Sequence, residues 1–120
     1  MLIPPFDDPY TIAGQGTIGK EILDAVNPAK GIDAIFVSVG GGGLISGIAA
    51  YVKAVRPKMK VIGVEPADAN GMALSLHQGY RIRLSQVDAF ADGVAVKQVN
   101  KIHYQSSHPC YVIEGWQGDV

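Results

Sequence analysis

Four consecutive glycines, Gly40 to Gly43, interrupt the longest uncharged stretch of this chain, Ala34 to Val52. A stretch of that length could in principle span a bilayer as a helix. Each glycine costs about 1 kcal/mol relative to alanine in a helix, so a continuous helix through the run would lose roughly 4 kcal/mol. The glycines therefore separate two elements. Ile32 to Val39 is apolar and rich in β-branched residues, with little alternation after Asp33, the pattern of a strand covered on both faces. Beyond the run, Leu44, Ile48, Tyr51, Val52 and Val55 recur at helical intervals until Pro57. A second strand is expected at Lys60 to Val64. Strand, glycine turn, helix and strand make a βαβ unit, which requires parallel strands and places the chain in the α/β class. Such sheets bind ligands at the carboxyl ends of their strands, here Gly40 to Leu44 and Glu65-Pro66.

The flanking segments are read by the same rules. Residues 2–13 carry Pro4, Pro5, Pro9, Asp7 and Asp8 and suit an extended entry. A helix is expected from near Thr17, with Ile18, Ile22, Leu23 and Val26 on one face and Asn27-Pro28 and Gly31 as its stop. A short helix over Met72 to His77 should end at Gly79, with His77 a surface or cap residue, and a further strand is expected over Arg81 to Val87. No periodicity organises Asn100 to Tyr111, so the chain divides into residues 1–99 and a divergent tail, 100–120.

Composition narrows the function. With 48% apolar and 18% charged residues the chain is a globular domain, and its formal charge of -1 leaves no cationic surplus for nucleic acid or an anionic membrane. The single Cys110 cannot form an internal disulfide and no signal segment opens the sequence, which points to an intracellular setting, cytoplasmic or plastid. His103, His108 and Cys110 lack a fourth ligand and a standard spacing, weak grounds for zinc.

The chemistry concentrates in the glycine run. Removing every Cβ where a strand turns into a helix lets successive backbone N–H groups point into one space, and the helix dipole makes that space favourable for an anion such as phosphate. A Walker loop would need Gly-Lys-Ser/Thr, and no lysine occurs between Lys30 and Lys53. A dinucleotide fingerprint ending at Gly47 would need glycine at Leu44. Glu65 does stand where a ribose-binding acid would, so a nucleotide-binding module stays open as an alternative.

The chain resembles the fold-type II pyridoxal-phosphate enzymes, above all the threonine dehydratases and next the serine racemases. The resemblance rests on five blocks in the family's order: Pro5 to Pro9, Ile12 to Ile18, Val39 to Leu44, Gly63 to Pro66 and Ala91 to Val94. It implies a three-layer α/β fold, a mainly parallel sheet with flanking helices forming part of a fold-type II domain. It also implies pyridoxal phosphate as cofactor, an amino-acid substrate and conversion of threonine to 2-oxobutanoate and ammonia, a step of isoleucine biosynthesis. Gly40, Gly41, Gly42, Gly43 and Leu44 inherit the phosphate-binding role, and Gly93 an approach to the cofactor ring. Serine racemase-like members imply a Mg²⁺ or Ca²⁺ site at Glu65 and the Ala69 carbonyl, although Gly71 stands where a third, carboxylate ligand belongs.

The family's cofactor lysine lies in a Ser-x-Lys-x-Arg-like block, and none of Lys20, Lys30, Lys53, Lys58, Lys60, Lys97 or Lys101 stands in that context. No catalytic residue is assigned. The expectation is a fragment of a threonine ammonia-lyase, inactive alone, which forms homo-oligomers or associates with a full-length enzyme.

Overall fold

The computed structural model describes residues 3–26, 31–87, 92–100 and 111–114. Its elements are α1 (Pro9–Ala25), β1 (Ala34–Ser38), α2 (Gly43–Val55), β2 (Lys60–Glu65), α3 (Gly71–Gln78) and β3 (Tyr111–Glu114). Short 3-10 turns lie at Ala67–Ala69 and Asp92–Val94. The strands are parallel in the order β1-β2-β3. This is the α/β arrangement, a parallel sheet with flanking helices, that the βαβ pattern predicts.

The first helix starts a full two turns earlier than its apolar periodicity suggests, at Pro9 rather than near Thr17. Asp8 is the reason. Its Oδ1 accepts the amides of Tyr10 at 2.9 Å and Thr11 at 3.0 Å, and Pro9 at the first helical position has no N–H to leave unpaired. The proline and aspartate that suggest a loop are the start signal of a helix. At the other boundary checked by sequence, α3 ends as expected: Gly79 adopts φ 78° and its amide closes on Ser75 O at 3.0 Å.

The core gathers Ile35, Val37 and Val61 from the sheet with Ile45, Ile48, Ala49 and Val52 from α2, and Met72 and Val99 join it. Among the described residues the opposite face is exposed at Phe36 and Val64. The register pairs Phe36 with Ile62 and Ser38 with Val64, and Phe36 is 66% exposed against 4% for Val37. Cover on both faces of β1 is therefore corrected to cover on one face within the described residues. An apolar β-branched run reports burial propensity but not how many helices arrive to satisfy it. The segment expected as a strand over Arg81 to Val87 forms only an isolated antiparallel bridge, Arg83 to Gln98, with Leu84 N donating to Lys97 O at 2.8 Å. The unanticipated β3 pairs with β2 from Ile62–Tyr111 to Glu65–Glu114. No described helix is long and apolar enough to cross a membrane.

Helices α1 and α2 meet backbone to backbone. A Cβ built on Gly47 would lie 2.3 Å from Ile12 O and 2.7 Å from Gly16 N, and one on Gly16 would lie 3.2 Å from Gly47 O. Neither neighbour is a flexible side chain that could yield. Gly47→Ala is accordingly expected to lower the unfolding free energy by about 1–3 kcal/mol, read as an earlier midpoint in urea. Gly14, on the same helix as Gly16 but with open space around it, provides the control, since Gly14→Ala should stabilise by up to about 1 kcal/mol.

Candidate functional site: the glycine turn at the end of β1

Val39 N donates to Val64 O at 2.9 Å, carrying the β1–β2 pairing to the edge of the glycine run. The chain then turns within Gly40 to Gly42, and Gly42 caps α2 in the left-handed region at φ 95°. A side chain there would be strained as well as crowded, because its Cβ would sit 3.0 Å from Met72 Cε and 3.1 Å from Asn100 Oδ1. The first helical amide to find an acceptor inside α2 is that of Ser46, which donates to Gly42 O at 3.0 Å. By helix geometry the amides of Gly43, Leu44 and Ile45 have no partner within the helix, and they stand at the positive end of its dipole.

The other three glycines are just as tightly enclosed. A Cβ on Gly40 would approach Val94 Cα to 2.9 Å and Gly93 O to 3.1 Å, one on Gly41 would overlap the Phe6 ring at 2.2 Å, and one on Gly43 would meet Phe6 Cα at 3.0 Å. The structure thus brings Gly93 to the loop through its carbonyl, while nothing lies within 4 Å of a Cβ on Gly93 itself. Phe6 walls the loop on one side. It also borders a cleft of about 500 Å³ flanked by Arg81, Arg83 and Lys97.

Glu65, the second position at a strand end, is 1% exposed. Its two carboxylate oxygens accept the amides of Met72 and Ala73, each at 2.9 Å. It therefore caps α3 from a neighbouring strand, satisfying donors that no side chain at Asn70 reaches. Ala69 is buried and its own amide closes a turn on Pro66 O. Among the described residues no three His, Cys, Asp or Glu side chains converge on a point, so the geometry adds nothing to the cation reading at Glu65 and Ala69. His103, His108 and Cys110 lie outside the described residues, and His77 is exposed in the last turn of α3.

The described lysines are committed elsewhere or peripheral. Lys20 pairs with Asp24, and the hydrogen bond and charge of that carboxylate raise its pKa, the opposite of what an amine needs to act as a nucleophile near neutrality. Lys53 donates to Met59 O at 2.6 Å. Only Lys97 lines the cleft beside Phe6. Three residues to which motif reading assigns no role complete the loop's surroundings: Phe6, which lies within the Pro5 to Pro9 block, Ser46 and Asn100. Ser46 alone carries a local signal, as a hydroxyl four residues after the helix cap.

Glu65→Ala should destabilise the fold by about 1–3 kcal/mol through the two stranded amides, seen as early hydrogen exchange at Met72 and Ala73. Glu65→Gln keeps one acceptor and should fall between.

Comparison with known proteins identifies the family. The family model described as pyridoxal-phosphate dependent enzyme matches residues 1–114. The chloroplastic biosynthetic threonine dehydratase of Arabidopsis thaliana is 65% identical over 106 residues, 88% of this chain and 17% of the relative. The biosynthetic L-threonine dehydratase of Burkholderia multivorans is 59% identical over 99 residues, 82% of this chain and 19% of the relative. The chain thus spans about a sixth to a fifth of these relatives. Among solved structures, the processed form of threonine deaminase isoform 2 from Solanum lycopersicum superposes with TM-score 0.87 at 50% identity, over 94% of this chain and 33% of that one. Maize serine racemase does so with TM-score 0.87 at 35% identity, over 96% and 36%.

Proposed function

The chain belongs to the pyridoxal-phosphate-dependent enzymes, and on that premise we propose that Gly40 to Leu44 hold the cofactor's phosphate within a threonine ammonia-lyase. The observation that carries this reading is the enclosed glycine turn, where a Cβ on Gly40 or Gly41 would fall within 2.9 Å of existing atoms. Backbone amides and the α2 dipole supply the attraction, with no charged side chain required in the loop. Bound there, pyridoxal phosphate would supply an electron sink for the substrate's Cα. In the whole enzyme, threonine loses its β-hydroxyl as water and the product hydrolyses to 2-oxobutanoate and ammonia.

What these residues contribute is placement. The turn anchors one end of the cofactor and Phe6 walls the anchor. Arg81, Arg83 and Lys97 outnumber the one carboxylate, Asp7, on the border of the adjoining cleft, a balance suited to a carboxylate or phosphate. Gly93 closes the loop's base through its carbonyl. No lysine of the sequence stands in a Ser-x-Lys-x-Arg-like block, so residues 1–120 provide the anchoring portion of the site and not its cofactor lysine.

Two outcomes test this. Inorganic phosphate and pyridoxal phosphate should raise the melting temperature of the 120-residue chain, NAD should not, and Gly41→Val or Gly42→Val should abolish the effect. Unchanged protection in both variants would remove the loop from the site. The same chain should release no 2-oxo acid from threonine or serine, and borohydride reduction with pyridoxal phosphate should label no lysine stoichiometrically. Stoichiometric labelling of Lys97 together with ammonia release would overturn the division of labour.

A further inference from the structure

We infer that Asn100 and Ser46 are positioning residues that aim the amides of the glycine turn at a bound phosphate; this rests on the phosphate reading of the loop. The argument starts from peptide planarity. In a trans peptide the C=O of one residue and the N–H of the next point in opposite directions, and no peptide bond among the described residues is cis. Whatever fixes a carbonyl therefore aims the following amide.

Two consecutive carbonyls of the turn are fixed in this way. Gly41 O accepts the amide of Asn100 at 2.7 Å, which directs the Gly42 N–H to the opposite side. Gly42 O accepts both Ser46 N at 3.0 Å and Ser46 Oγ at 2.5 Å, which directs the Gly43 N–H out of the helix end. Glycines would otherwise let these peptides rotate freely, since φ and ψ are least restricted without a Cβ. The turn gains its permissiveness from glycine and loses it again to these two partners.

The Asn100 side chain locks the arrangement. It is fully buried, and its Nδ2 donates to Phe6 O at 3.0 Å and reaches Ser46 Oγ at 3.4 Å. It thereby ties the entry segment, the turn and α2 to the last described residue before β3. Accepting from Asn100 Nδ2, the Ser46 hydroxyl gives its own proton to Gly42 O. None of these contacts uses the Gly42 or Gly43 N–H, so both remain as donors for an anion. Preorganised donors bind more strongly because their orientation is settled before the ligand arrives.

The test follows the amide signals of Gly42 and Gly43 in the ¹⁵N-labelled 120-residue chain as inorganic phosphate is added. In the wild type both should shift on titration. Asn100→Ala deletes the tie to Phe6 O and Ser46 Oγ and Ser46→Ala deletes the hydroxyl on Gly42 O, while both keep their backbone amides on the turn carbonyls. Loss of the side-chain lock should weaken phosphate by about tenfold in each, with protection of the Ile48 and Val52 amides unchanged. Ser46→Thr, which keeps the hydroxyl, should bind as the wild type does. A wild type whose loop amides ignore phosphate overturns the phosphate reading and this inference together. A wild type that binds while both alanine variants bind equally well overturns the positioning role alone. If Asn100→Ala loses the protection of Ile48 and Val52, the Ser46→Ala and Ser46→Thr pair decides: equal affinities sink the inference, and weaker binding only in the alanine variant upholds it.

Discussion

The turn from β1 into α2 has no room for a side-chain carbon, and four separate segments of the chain depend on that. Phe6 from the entry, Met72 from α3, the Gly93-Val94 turn and Asn100 each lie within 3.1 Å of where a Cβ on the turn would be. Close packing of this kind transmits any displacement to all of its neighbours. The turn, the proposed phosphate site, is consequently also the point at which the entry, α3 and the segment before β3 are assembled. The close approach of backbone to backbone seen at Gly40 and Gly43 recurs at Gly47, where α1 seats itself on α2.

Around this point the buried side chains of Ser46, Glu65, Ser75 and Asn100 are paired, chiefly with backbone groups. Ser46 and Ser75 each return a hydroxyl to the carbonyl four residues earlier at 2.5 Å. Ser75 Oγ then accepts the amide of Ile82 at 2.9 Å, holding the segment after α3 against its helix. Glu65 closes the amino end of the same helix. Such groups are costly when unsatisfied and specify one arrangement when satisfied. The fold spends its few buried polar side chains on helix ends and loop carbonyls, where backbone groups have no regular partner.

The apolar economy is less complete. One face of the sheet packs under α2, while Phe36, Ser38 and Val64 stand exposed on the other. Parallel sheets are ordinarily buried on both sides, and the similarity to the tomato deaminase covers a third of that chain.

The sequence by itself determined the central unit. Gly40 to Gly43 between a β-branched run and a helical period specify strand, turn and helix, because sterics and periodicity act over a few residues and need no distant partner. The same holds for Gly79 ending α3, and the Asp8-Pro9 helix start was equally local although its prolines argued for a loop. Tertiary structure decided what meets what. Asn100 reaches Phe6 across 94 residues, Glu65 proves to be a cap for α3, β3 finds β2 without any periodic signal, and only one face of β1 is covered. None of these is written in spacing, since each depends on which surfaces arrive side by side once the chain has closed on itself, and a residue's partners are set by that closure rather than by its neighbours in sequence.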